Sequence, residues 1–531
     1  MNLRRFCTMM LIALPWICAG GEGDGALRNI DFAVAANPTL AFDNAAWLST
    51  LQTDRISVVQ GAFRKENGEL RDISGSADSF TASLNTRSYM KASGRLWLYG
   101  LMSYSYTMGH DMTGDLLLEP EKSPVNFLEW DFSNIGTKVS ERYTLSGGMA
   151  YRTSPRWSFG IKADYTAADR SKLKDPRTSN SLMDLSVTAG FKHDLSQRAS
   201  FGMNLVWNQY TDQIKAGVYG ASETPYSVFV DYGALMGIRE VFLGDEGHIS
   251  LSNPRPLVNN YYGASLQFAA GGATRFSADL GYRFRDGFFG RPGSTNVTFC
   301  EFGGHLASLS AALLSQAGEN LHRIALNGDF EYLANDENVY RITTVPGQSS
   351  VVTYYGQNRV IDKMSASALL SYTLFRGVSE LNARDEYGVS LGARWIDGTT
   401  TIYPFYRDHS ILAFSGKVRG KWGFEAAGGV LEPSLTLGFA FGEGTEASDG
   451  QLAQSSSEPP RTMEAALHAR FEYETAPRAG ATAALRYIRP LGGRLSIEAA
   501  IEDDFTTLVK ENVHLAGKYY NIAQLRIGLI F

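Results

Sequence analysis

The chain has 531 residues, with 49 Lys and Arg against 55 Asp and Glu and a formal net charge of −6. This mildly acidic balance lacks the basic excess that a nucleic-acid surface requires, so no nucleic-acid partner is expected. Mean hydropathy is −0.17, too polar for a bundle of membrane helices, and beyond the leader no uninterrupted apolar run approaches the ~20 residues that a spanning helix needs.

At the N-terminus, Arg4 and Arg5 precede the apolar run Phe6 to Cys18, and Ala19, Gly20 and Gly21 follow. A charged start, a short apolar run and a small-residue zone predict a cleaved secretory signal over residues 1–20. Ile17 is too bulky to precede a lipid-bearing Cys18, which disfavours a lipoprotein. Of the three cysteines, Cys7 and Cys18 fall in this leader. Cys300, within Val297-Thr298-Phe299-Cys300-Glu301, reads as a strand residue and not as a nucleophile. Residues 21–54 show little alternation and are expected to form an N-terminal periplasmic or luminal segment, with a barrel over 55–531.

Strands are predicted at Ile56–Phe63, Phe80–Met90 and Leu96–Tyr106, followed by a long connection over 110–141. Then Tyr143, Leu145, Gly147, Met149 and Tyr151 alternate with Arg142, Thr144, Ser146, Gly148 and Arg152. After the break Thr153-Ser154-Pro155-Arg156, Trp157, Phe159, Ile161, Ala163 and Tyr165 alternate with Ser158, Gly160, Lys162, Asp164 and Thr166. A strand sends successive side chains to opposite faces, so this hairpin has one apolar and one charged face. A second hairpin, Leu185 to Trp207, turns at Asp194–Arg198 after a longer polar loop at 169–180. Short turns alternating with longer loops are the mark of an outer-membrane barrel, whose apolar rows meet lipid and whose polar rows line the lumen. The segment 211–262 reads as either a large external loop or an inward fold. Alternation resumes at Phe276–Phe284 and Ile324–Tyr332, with further strands at 364–375, 387–395, 411–422, 434–442, 463–473, 481–488 and 495–502. Counted forward from Leu96, segment 463–473 should run inward; counted back from the C-terminus, it should run outward. One segment is therefore misassigned, near 225–262 or 425–433. The fold class is all-β: a transmembrane antiparallel outer-membrane β-barrel of about 14–18 strands, with short periplasmic turns and long extracellular loops.

Leu525, Ile527, Leu529 and Phe531 share one face of the last strand. They resemble the recognition strand read by the barrel assembly machinery, which implies that machinery as a partner and the Gram-negative outer membrane, with its lipid and lipopolysaccharide, as the site. The whole pattern resembles large outer-membrane barrels of Bacteroidota known only as families of undefined function. Asn37-Pro38-Thr39 resembles the Asn-Pro-Ala element of the FadL-like barrels, with Thr39 replacing the family's Ala. That resemblance implies an N-terminal hatch in the lumen and diffusive passage of hydrophobic compounds.

The sequence holds no Gly-x-Ser-x-Gly, His-Glu-x-x-His, phosphate loop or Cys-x-x-Cys, so neither an enzyme, a metal nor a cofactor is expected. His193, His322 and His468 read as lumen or rim residues. The polar rows carry Arg142, Arg152, Lys162, Asp164, Arg275, Asp279, Arg283, Arg285, Arg323, Asp329, Glu331 and Arg470. An Arg or Lys on the lipid face at mid-bilayer costs ~2–4 kcal/mol, so these are lumen-facing candidates. Arg275, Arg283 and Arg285, on one strand, could attract an anionic solute; a mixed-sign network that only braces the barrel is the plainer expectation. Two functions follow: a passive uptake channel for small or hydrophobic solutes, or a non-transporting accessory barrel of a nutrient-acquisition or secretion complex. In the second, an outer-membrane protein partner would dock on loops 110–141, 333–362 and 444–460.

Overall fold

Period-two alternation carries the chain around a closed wall. The computed structural model describes residues 27–130, 134–219, 226–241, 247–249, 255–344, 346–347 and 349–531; the expected leader lies outside them. The first strands are β1 (Arg55–Gly68), β2 (Asp78–Lys91), β3 (Leu96–Met112), β4 (Gly136–Arg152), β5 (Trp157–Lys172), β6 (Arg177–Asp194) and β7 (Ala199–Gly217). They are followed by β8 (Arg255–Gly271), β9 (Thr274–Gly290), β10 (Thr298–Ala317), β11 (Asn320–Thr343), β12 (Val351–Val378) and β13 (Ala383–Ile402). The wall is completed by β14 (Phe405–Lys421), β15 (Gly429–Gln451), β16 (Arg478–Gly492), β17 (Leu495–Leu508) and β18 (Tyr519–Ile530). Each pairs antiparallel with the next, and β18 returns to β1 in the register Val58↔Ile530 to Gly68↔Tyr520, closing an 18-strand barrel. The short strand Phe424–Ala426 pairs only with the start of β15.

The outward rows are apolar and exposed, among them Leu145, Ile161, Leu205, Leu280, Leu391 and Ile527. An apolar surface this continuous is stable only against lipid, and the fold is that of an outer-membrane barrel. No described helix is long and apolar enough to cross a membrane. Arg55 and Phe531 lie at one rim, their side chains stacked 4.5 Å apart. That periplasmic rim carries the tight turns 92–95, 153–156, 195–198, 272–273, 318–319 and 493–494.

The opposite rim departs from the sequence reading in several places. The polar stretch 169–180 is mostly strand, with only 173–176 between β5 and β6. Loops 333–362 and 444–460 are largely the upper parts of β11, β12 and β15. The segment 463–473, read above as a strand, is helical, and its removal from the wall settles the parity conflict. The stretch 110–141, read above as a long connection, holds the end of β3 (110–112) and the start of β4 (136–141), and residues 113–130 between them turn back into the barrel, as do 226–241.

Candidate functional site

The lumen is filled from both ends. From the periplasmic side enters the segment 27–54. Asn29 caps helix α1 (Ile30–Ala36), its Oδ1 accepting from the N–H groups of Asp31 and Phe32 at 2.9 and 3.2 Å. Phe32, on the inner side of α1, packs edge-on to Phe375 at 5.3 Å, among Ala312, Leu314, Leu321 and Ala325 of the wall. Asn37 ties the chain back on itself, donating to the Thr50 carbonyl at 3.0 Å and accepting from the Thr39 hydroxyl at 2.8 Å. Asn44 then does two jobs. Its Oδ1 caps the turn Ala45–Thr50, and its Nδ2 donates to the Phe191 carbonyl and to Gln267 Oε1, both at 2.9 Å. Trp47 is 1% exposed in the turn that follows. Burying a large apolar side chain to that extent is worth about 3 kcal/mol.

The wall makes room for this turn with glycine. Gly160 and Gly190 face each other across β5 and β6. A Cβ on Gly160 would lie 2.2 Å from the Ala46 nitrogen, and one on Gly190 would lie 2.7 Å from Asn44 Oδ1.

From the outer side, residues 113–130, 226–241 and 452–477 contribute a four-stranded luminal sheet in the order 461–462, 236–241, 227–231, 126–129. Phe127, Leu128, Phe229 and Val230 are wholly buried in it, and Leu257, Phe289, Phe302 and Leu333 of the wall pack against it. Glu129 fixes one edge between Lys138, at 3.5 Å, and Lys172. Arg407 fixes the other, bonding Asp449 at 2.6 Å and the Ala234 carbonyl at 3.0 Å. Helix α2 (Glu464–Thr475) lies beside the sheet, with Met463, Ala466 and Leu467 buried against Leu128, Phe229 and Leu235.

Arg470 of α2 is the shared cation of this roof, 3.2 Å from Asp115 and 3.6 Å from Asp72. Burial alone would raise the Asp115 carboxyl, but Arg470 and bonds from Ser74 and Asn126 hold it below its ordinary value. Burial raises Asp72, against the pull of Arg470. Burial pushes Asp231, in the luminal sheet, up to about 6, against Arg470 and the Gly233 N–H. The folded chain therefore holds the Asp231 proton more tightly than the unfolded chain does. Its contribution to stability is largest near and below the ordinary value of 3.8 and is lost as pH rises through about 6. We expect the thermal midpoint to rise as pH falls from about 6.5 to about 4.5, and Asp231→Asn to flatten that rise. A rise of equal size in the variant would count against Asp231 as its source.

The structure sorts the charged residues singled out in the sequence. Arg142 pairs with Glu119 of the inward connection. Arg152 donates to the Ser49 carbonyl at 3.2 Å and stacks on Trp97. Lys162 lies 3.1 Å from Asp164 and 3.4 Å from Asp43, and Arg283 lies 3.0 Å from the same Asp43. Arg285, 1% exposed, bonds Glu331 and Asn259, each at 2.8 Å. Asp279 accepts from Gln267 at 3.2 Å, and Asp329 approaches Ser367 at 3.5 Å. Arg470 sits on α2 and not on a wall strand, which corrects its place on a polar row. Arg275 and Arg323 have no ion pair among the described residues. His193 packs at a tilt against Trp157, His322 meets the Tyr372 hydroxyl and His468 pairs with Glu446. Cys300 is buried and free.

Sequence reasoning passed over Asp43, Asn44, Asp115 and Asp231, single polar residues in segments without periodicity. The glycines at 160 and 190 were the available signal: glycine on the polar row of adjacent strands marks a close backbone approach.

A family model described as "Family of unknown function (DUF6850)" matches residues 45–531. The chain belongs to this family. Curated protein sequences hold no match to it. Among solved structures, this DUF6850 barrel is similar to the ferric preacinetobactin receptor BauA from Acinetobacter baumannii, at 8% identity over 90% of this chain and 80% of that one, with a TM-score of 0.41. It is also similar to the outer membrane transporter YddB from Escherichia coli, at 7% identity over 90% and 81% with a TM-score of 0.40. A third is the ferric enterobactin receptor PfeA from Pseudomonas aeruginosa, at 9% identity over 90% and 80% with a TM-score of 0.39. The likeness is one of barrel fold.

Proposed function

We propose that this barrel is a gated passive uptake channel for small polar solutes. One observation carries the reading: the turn Ala45–Thr50 packs against β3–β6 and Phe32 against β10–β13, and between this segment and the roof a sector with open cavities remains along the inner face of β12–β17. Beside α1 this sector holds a cavity of 460 Å³ lined by Gln60, Thr373, Glu386, Arg419 and Arg486. A second, also 460 Å³, reaches up past Asp43, Ser365 and Ser367 to Arg394. Arg394 there bonds Glu474 of α2 at 2.7 Å, so the path ends under the roof. Small hydroxyls and internally paired charges, such as Lys421–Glu432–Arg486–Glu498, give a wet lining that solvates polar solutes. The FadL-like element at Asn37-Pro38 supports a luminal segment, whereas this lining favours polar over hydrophobic cargo.

Narrowing the free sector tests the proposal. Ser415 points into it from β14, and Val418 points outward from the same strand, 58% exposed. Ser415→Trp should reduce single-channel conductance at least about twofold, because a large ring obstructs the path, while Val418→Trp leaves it unchanged. Equal currents from both variants would refute the path.

The accessory-barrel reading has one observation in its favour. β11 and β12 run 24 and 28 residues, far beyond the ~9–11 that cross a membrane. Their upper parts expose Ile342, Val351 and Tyr355 above the rim. A native-detergent pull-down that returns the barrel alone would count against a partner there.

A further inference from the structure

The lumen is built so that guanidinium groups meet carboxylates: Arg283 with Asp43, Arg285 with Glu331, Arg394 with Glu474, Arg486 with Glu498. Arg275 and Arg323 break the rule. They face the same residue, Leu314, from β9 and β11, which places their backbones about 10 Å apart across β10. Neither side chain has an ion pair or hydrogen bond with any described residue.

One register step further in, the inner row reads Ser277, Ala312, Ala325. Two alanines in succession leave space that larger side chains would fill. The result is a cavity of 260 Å³ between the wall and the N-terminal segment, lined by Arg323, Ser277, Ser310 and Asn327 on one side and by Asp31 and Phe42 on the other. Its lining is mixed, with Val34, Pro38 and Ala41 on the side of the segment, and the buried polar groups on the wall side lack partners. Ser277 is 4% exposed, and its Oγ has no partner; Nε of Arg323 is likewise buried and unpartnered. Asn327 uses its Oδ1 to accept from Ser310 at 2.9 Å, which leaves its amide hydrogens free. Asp31, the carboxylate on the lining, is engaged by Arg87.

Buried donors without acceptors are rare in a folded chain and mark a place where a ligand group completes the set. The buried donors here are a guanidinium Nε–H and a hydroxyl, with the exposed Asn327 amide beside them, the chemistry that holds an oxyanion. A cation would meet Arg323, and an apolar group would leave both buried donors unmet. We propose that this cavity is an oxyanion subsite on the solute path, taking the carboxylate or phosphate group of a small solute, with Arg275 adding a second uncompensated positive charge nearby. This rests on the channel reading, because the cavity lies beside the free sector and Arg323 lines both.

Isothermal calorimetry on the purified full chain in detergent, titrated separately with acetate and with inorganic phosphate, tests the subsite without measuring current. Saturable binding of either anion is expected, and the tighter one identifies the group that the site prefers. Arg323→Gln should weaken it by more than about tenfold, and Arg323→Lys by less, since charge remains but the fork is lost. Ala312→Leu fills the cavity without touching a donor and should also abolish binding. The β-sheet circular dichroism of each variant shows that the barrel is intact. Absence of saturable binding to both anions, or binding unchanged in Arg323→Gln and Ala312→Leu, overturns the subsite. Binding in a barrel that never conducts would overturn the channel reading instead.

Discussion

Arg470→Met loosens the roof and raises the single-channel conductance of the barrel several-fold. Asp72 and Asp115 lie within 3.6 Å of this guanidinium, and its charge also acts on Asp231. With the cation gone, these carboxylates repel one another, and Asp115, 6% exposed, loses its ion pair. Breaking a buried pair from one side costs about 3–5 kcal/mol. The other charged ties of α2, Arg394–Glu474 and His468–Glu446, are part-exposed and therefore weaker. No side chain caps its N-terminus, and Met463, Ala466 and Leu467 are the only apolar residues that anchor it in the roof cluster. Below α2 cavities already run along the inner face of β12–β17, so the roof is the limiting resistance and its release shows directly in the current. Asp115→Asn in the same chain should recover part of the closed state, because it removes the charge that was stranded. A silent Arg470→Met barrel with native sheet content would place the gate elsewhere.

Gly160→Val drives the N-terminal segment off the wall. The new Cβ meets the backbone of Ala45 and Ala46, at 2.5 and 2.2 Å, which cannot swing aside as a side chain would. The segment must lift, and with it go the Asn44 bonds to Phe191 and Gln267 and the burial of Trp47. Together these are worth about 5 kcal/mol. The strand itself loses nothing, since valine is a better strand residue than glycine. Proteolysis within 27–54 should rise by more than about tenfold. Conductance should change little in the single variant, because roof and segment are resistances in series, and should exceed that of Arg470→Met when the two are combined. Protection equal to that of the unaltered chain would mean that the wall yields instead of the segment.

How far these features could be read from the sequence depended on what each face of the chain touches. Along Tyr143–Tyr151 and Trp157–Tyr165, one face meets lipid and the other water, so alternation reports the wall without ambiguity. The same alternation misled at 463–473. Met463, Ala465, Leu467, Ala469, Phe471 and Tyr473 alternate with Glu464, His468, Arg470 and Glu472, broken only by Ala466, much as a lipid-facing strand would. Yet Ala, Leu, Glu and Arg are strong helix formers, and away from lipid nothing rewards the period of two. What buries instead is Met463, Ala466 and Leu467, spaced as one side of a helix. The roof was out of reach for a different reason. Its strands at 126–129, 227–231, 236–241 and 461–462 are short, and apart from the local hairpin 227–241 they pair over long separations, as in Asn126↔Asp231 and Met236↔Thr462. The charged rows were visible, but which charges are cancelled was not. Of Arg275, Arg283 and Arg285, read as one cluster, only Arg275 is left without a carboxylate, and its fellow is Arg323, two strands away.

Closure of β18 on β1 also orders the assembly. The turn at Ala45–Thr50 rests on β3 to β6, all made early in the chain, so it can settle on an open, partly formed sheet. The roof cannot. Its outermost strand, 461–462, pairs with 236–241 and reaches the interior only through the connection between β15 and β16. Once the last seam has zipped, a folded sheet of that width has no way in past the rim. The contents must therefore be gathered while the cylinder is still a curved ribbon, the periplasmic packing first and the roof last. A variant that seals too quickly would trap its own roof outside.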